Sequence, residues 1–124
     1  MVRKLLPVFS FGYSIALLVL SLVTVKEIAG FPNQSDKVLH VLAHVILTGL
    51  WFLTLNQFYR KGINQAKTIA LVVSILFGIL IEVLQHTATQ SREADFKDVI
   101  ANILGALIAV LLINLIIKMK VKNY

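Results

Sequence analysis

The sequence predicts an all-α fold: a four-helix transmembrane bundle with both termini cytoplasmic. Three observations predict it. The 124 residues are 58% hydrophobic, with a mean hydropathy of +0.85, whereas soluble domains run at about 45–50% apolar. Four apolar stretches, near 5–25, 38–58, 68–89 and 98–117, each approach the roughly 20 residues that a spanning helix needs. Lysine and arginine gather beside alternate ends of those stretches, the pattern that sets orientation in a membrane.

The first stretch, residues 5–25, holds 21 residues without a charge. Pro7 would fall in its first turn, where a missing N–H is tolerated. Arg3 and Lys4 before it also suit a signal peptide, but the run is too long and no A-x-A cleavage site follows. Ser10, Ser14, Leu17 and Ser21 share a face, and small residues there favour close helix packing. Gly30, Pro32 and Asn33 then break the chain. The second stretch opens with His40 and His44 and ends near Phe58. A polar link with Arg60, Lys61, Gly62 and Lys67 leads into the third. A charged loop, residues 90–97, precedes the fourth, and a tail with Lys118, Lys120 and Lys122 closes the chain.

The N-terminus, the middle link and the tail carry Arg3, Lys4, Arg60, Lys61, Lys67, Lys118, Lys120 and Lys122, with no acid among them. The other two loops mix Lys26, Lys37, Arg92 and Lys97 with Glu27, Asp36, Glu93 and Asp95. The positive-inside rule therefore puts both termini in the cytoplasm, and an even number of spans agrees. The expected location is a membrane, crossed as one multi-pass domain. The net charge of +6 suits an anionic lipid surface, and no nucleic acid is expected as partner. There is no cysteine, which excludes a disulfide framework, a thiolate metal site and a cysteine nucleophile.

Against this apolar background the polar residues stand out. Asp36, His40 and His44 step down one side of the second span. Ser74, Gly78, Glu82 and His86 step along the third, with Gln85 adjacent, and Asp98 and Asn102 open the fourth. With a rise of 1.5 Å per residue, Glu82 and His44 both lie about 10 Å below the outer ends of their helices. Lipid offers such groups no partner, so those at matching depth are expected to face one another in an outward pocket. The pocket residues expected are Asp36, Lys37, His40, His44, Glu82, Gln85, His86, Arg92, Asp98 and Asn102.

Three motifs in order, Asp36-Lys37-x-x-His40, Ile81-Glu82-x-x-Gln85 and Arg92-x-x-Asp95-x-x-Asp98-x-x-x-Asn102-x-x-Gly105, resemble those of the VanZ-like membrane proteins. The resemblance covers about residues 36–112. It implies a small bacterial polytopic membrane protein, in a family whose namesake is linked to low-level resistance to the glycopeptide teicoplanin. Two positions depart from the family pattern: His44 stands where an aromatic residue is common, and Ala109 where a second glycine often follows Gly105.

Each residue also has a plainer reading. Glu82 reads as a proton-handling or ligand-binding carboxylate, or as one half of an interhelical pair with His40, His44 or Arg92. An acid in a span is costly enough to favour function. His40 and His44 have the i, i+4 spacing of a metal site, with Glu82 and Asp98 opposite as further candidate ligands, yet no tighter motif such as H-E-x-x-H accompanies them. No metal and no cofactor is expected. Asp95 reads as a helix cap. Arg92 reads equally as an anion-binding fork or a solvated loop charge. Ala101, Gly105 and Ala109 form a small-residue stripe for helix packing. Trp51, Phe52 and Phe58 read as lipid-facing or packing residues.

Three functions fit these residues. The first is a binding protein of the cell envelope, contributing to glycopeptide tolerance. Its partners would be membrane lipids and a lipid-linked wall precursor or the antibiotic itself. The second is a membrane-embedded hydrolase or transferase acting on such a precursor, with Glu82 or His44 as base. No sequence signature establishes catalysis, and the sequence leans away from an enzyme. The third is a structural polar network without chemistry. The sequence assigns no oligomeric state.

Overall fold

The structure is a computed structural model that describes residues 2–22, 33–88 and 96–122. They form four helices: α1 (Val2–Leu22), α2 (Asn33–Leu53), α3 (Ile63–Ala88) and α4 (Phe96–Lys122). All four are long and apolar enough to cross a membrane. No strand occurs among the described residues.

Interhelical bonds give the direction of each helix. Ser10 near the start of α1 meets Thr54 beyond the end of α2, so these two run antiparallel. Lys37 at the start of α2 meets Asp98 at the start of α4, so α2 and α4 run parallel. Lys67 at the start of α3 meets Asn114 late in α4 at 2.5 Å, so α3 runs against α4. One end of the bundle thus carries the starts of α2 and α4 and the finish of α3. The opposite end carries the start of α1 and the finish of α4, with Arg3, Lys4, Lys118, Lys120 and Lys122.

The helices overrun the charge boundaries read from the sequence. α1 begins at Val2, so Pro7 lies in its second turn instead of its first. α3 begins at Ile63 and takes in Lys67. α4 runs through Lys118, Lys120 and Lys122. The reason is that a lysine near a helix end keeps its stem along apolar surface and its ammonium in polar surroundings, so a charge marks the interface without ending the helix.

α2 does not end cleanly. It passes into a π-helical turn, Thr54–Phe58, a wider ring that admits one extra residue per turn. Lys61 N–H reaches the Leu55 carbonyl at 3.0 Å, and the Asn56 amide donates to the Lys61 carbonyl at 2.9 Å. Arg60 takes φ 57°, a left-handed conformation that reverses the chain toward α3. The Gly62 carbonyl then accepts from Ala66 N–H at 2.8 Å to open the new helix.

Two kinds of packing hold the bundle. Near the basic end, Phe52, Leu55, Ala66, Ala70 and Ile113 form an apolar cluster, with Trp51, Ile69 and Ile117 against it. α1 is fastened there by polar groups: Ser10 donates to the Leu50 carbonyl at 3.2 Å and meets Thr54 Oγ1 at 2.5 Å, while Trp51 Nε1 donates to Ser14 at 3.1 Å. Tyr13 donates to the Ala43 carbonyl at 2.7 Å. Trp51 also stands edge-on to Phe11, whereas Phe52 is buried and Phe58 exposed. Toward the other end, α2 and α4 come into direct backbone proximity. A Cβ on Gly105 would overlap the Val41 carbonyl oxygen, so only glycine allows that approach. Ala101 and Ala109, each one turn from Gly105 on α4, are also buried, as is Ala106.

Candidate functional site

The close approach at Gly105 sets the depth and rotation of α2 relative to α4. Its consequence is that polar residues of three helices meet inside the bundle. Asp98, 7% exposed, sits at the centre of the mouth. One of its carboxylate oxygens pairs with the Lys37 ammonium, and the other lies 3.8 Å from His40 Nε2. Glu82 enters from α3, and one ligand-capable atom each from His40, Glu82 and Asp98 lie within 4.8 Å of one another. Glu82 is 4% exposed. Lys37 keeps about a third of its side chain accessible (32%), which marks the open side.

A second layer lies about one helical turn deeper. His44 is buried and its Nδ1 is 3.0 Å from Ser74 Oγ. Asn102, four residues after Asp98 and on the same side of α4, is 1% exposed. Neither its amide nitrogen nor its amide oxygen has a hydrogen-bond partner among the described residues. A Cβ on Gly78 would come within 3.0 Å of both Asn102 Nδ2 and His44 Cε1. Gly78 therefore leaves the space in which the imidazole and the amide lie side by side. A buried amide without a partner loses free energy, about 1–3 kcal/mol by mutational measures. A water or another polar group beside Asn102 would remove that cost.

Of the ten pocket residues expected from the sequence, six are gathered here: Lys37, His40, His44, Glu82, Asp98 and Asn102. Two are not. Gln85 is buried, but its amide donates at 2.7 Å to the Ser21 carbonyl and ties α3 to α1. His86 is exposed near the end of α3. The cause is the helical period. Steps of four advance about 40° around the helix, so three steps from Ser74 carry His86 about 120° off the buried face. The same arithmetic returns Gln85 to that face. The Asp36 side chain, Arg92 and Asp95 lie outside the described residues.

Of the metal candidates read from the sequence, His40, Glu82 and Asp98 converge and His44 does not. His44 turns to Ser74 instead. The sequence carried part of this signal, since Ser74 lies in the row of four-residue steps. It did not mark Gly78 as the floor of the site, nor Ser74 as the partner of His44.

At the mouth a shallow groove opens between α2 and α4. Val38, Val41, Leu42, Ile100 and Leu104 line it, with Lys37 and Lys97 at the rim, and its volume is about 400 Å³. An apolar floor with ammonium groups at one end suits an amphiphile with an anionic head.

With this geometry in view, the model of the VanZ/LLP1 family matches residues 3–117. The chain belongs to that family. No curated protein and no solved structure matches it. In this VanZ/LLP1 member the match runs from the first turn of α1 to the last turns of α4, so it takes in the polar site and the apolar cluster alike. Four apolar helices fit a multi-pass membrane protein.

Proposed function

We propose that this protein is a receptor for an anionic amphiphile of the bacterial cell envelope. It would sit in the plasma membrane with both termini cytoplasmic, so that the polar site faces outward. The basic residues at the terminal end support that orientation. The amphiphile would be a lipid-linked wall precursor or the glycopeptide teicoplanin. Binding either one would contribute to glycopeptide tolerance.

One observation carries the reading. The groove with Lys37 and Lys97 at its rim opens beside the buried cluster of His40, Glu82 and Asp98. An acyl or prenyl chain lies along Val38, Leu42, Ile100 and Leu104, while a phosphate or carboxylate meets the lysines. Asp98 holds Lys37 in place by its ion pair, and a charge-assisted bond to an anionic head is among the stronger polar contacts.

The test is glycopeptide susceptibility of cells making the protein or its variants Glu82→Ala, Arg92→Ala and Asp98→Ala at equal levels. Loss of tolerance in the variants is the expected result. Full tolerance with normal expression would remove the reading. A second reading, a hydrolase or transferase acting on the same precursor, draws on Glu82 and His40 standing together near the groove. Product formed from a lipid-linked precursor by the purified protein would decide for it.

A further inference from the structure

We propose that His40, Glu82 and Asp98 form a binding site for one divalent transition-metal cation, with Asn102 one turn deeper on the same side of α4. The site goes beyond the amphiphile reading and does not depend on it.

The donors come from three different helices: His40 from α2, Glu82 from α3 and Asp98 from α4. One atom of each lies within 4.8 Å of the others. Around a tetrahedral ion with bonds of about 2.0–2.1 Å, ligand atoms stand about 3.4 Å apart. Small rotations of a glutamate and an aspartate close that difference. Glu82 and Asp98 are nearly buried and His40 is only 14% exposed at its side chain, so a bound ion is shielded from bulk water.

Two further observations point to a ligand and not to a bare acidic cluster. Asn102 is buried with both amide atoms unpartnered among the described residues. It lies four residues beyond Asp98, against Gly78, which is itself one turn from Glu82. Its oxygen is a free acceptor one turn below the cluster, on the side where a metal-bound water would sit. The other observation is Lys37. Its ammonium already occupies a cation position on Asp98, at the accessible side of the cluster. A divalent ion would displace it and meet two carboxylates, whose combined charge matches its own.

The donor set predicts the metal. One imidazole nitrogen with two carboxylate oxygens suits Zn²⁺ or Mn²⁺, while Mg²⁺ and Ca²⁺ favour oxygen alone. Three protein donors leave a coordination position for water or an anionic group, as in open metal sites.

The experiment uses full-length protein purified in detergent, stripped with a chelator and offered Zn²⁺, Mn²⁺ or Mg²⁺ alone. Metal content is measured after desalting, affinity by calorimetry, and folding by thermal melts. About one Zn²⁺ or Mn²⁺ per chain is expected, with a rise in melting temperature that Mg²⁺ does not give. Glu82→Gln and Asp98→Asn should each weaken binding about tenfold or more. Lys37→Met should tighten it, because the competing ammonium is gone. His86→Ala, at an exposed histidine, should leave it unchanged. The proposal is overturned if the wild-type protein keeps no ion, if folded Glu82→Gln and Asp98→Asn bind as wild type does, or if His86→Ala abolishes binding. Should both carboxylate variants fail to fold, Lys37→Met decides, and an unchanged affinity there sinks the site.

Discussion

The two halves of the bundle are built on opposite principles. Near the basic end, Phe52, Leu55, Ala66, Ala70 and Ile113 pack as an apolar cluster. Near the other end, His40, His44, Glu82, Asp98 and Asn102 occupy the interior, with Lys37 at its open side. In water the first half would drive folding and the second would oppose it. In a membrane the contrast shrinks, because lipid tails are as apolar as leucine and helices associate through shape and polar bonds. The apolar half therefore supplies close packing. The polar half supplies directional bonds, together with one amide, Asn102, that has none among the described residues. Apolar packing and polar bonding are thereby separated along the axis of the bundle.

That separation is tested most severely in the apolar half. Phe52→Ala opens a cavity beside Leu55 and Ile113 and is expected to cost about 3 kcal/mol. A lower melting temperature in detergent with amphiphile binding intact would uphold the division; lost binding would show that the halves are coupled. Gly105→Ala is expected to breach the division by design. Its methyl group must push the Val41 carbonyl away, at about 1–3 kcal/mol. Because that contact sets where His40 and His44 sit, ligand affinity should fall along with the melting temperature.

Asn102→Leu sharpens the contrast further. Replacing a buried, unpartnered amide by an apolar group of similar size is expected to raise stability by about 1 kcal/mol, while weakening whatever the site binds. Parallel melts and binding isotherms would read both signs at once, and a destabilised Asn102→Leu would mean the amide is held by a bond. The smallest effect belongs to Trp51→Phe. It removes the bond to Ser14 and is expected to cost about 0.6 kcal/mol, the average for polar contacts between membrane helices, without touching the site.

Much of this arrangement could be read from residue order. The four spans follow from apolar runs of sufficient length, and their antiparallel sequence follows from short links. Six of the site residues could be placed at similar depth by counting along the helices. His86 and Gln85 lie away from the cluster for two different reasons. His86 was placed with Glu82 because four-residue steps look straight in sequence, yet they spiral around the helix, and over three steps the drift leaves the buried face. Gln85 does lie on that face, but Ser21 of α1 stands opposite it, and no spacing rule names the neighbour. Lys67 marked a helix boundary in the sequence and became a bond to Asn114 in the fold.

Residue order by itself determined that this chain crosses a membrane four times, and which residues are too polar to face lipid. It determined the depth of each, because rise per residue is constant in a helix. Only the tertiary structure decided which of them meet. Meeting depends on how each helix is rotated and how near its neighbours come, and those are set by Gly105 against Val41 and Gly78 against Asn102. A missing side chain carries no chemistry of its own, but it is what lets a carboxylate from one helix reach an imidazole on another.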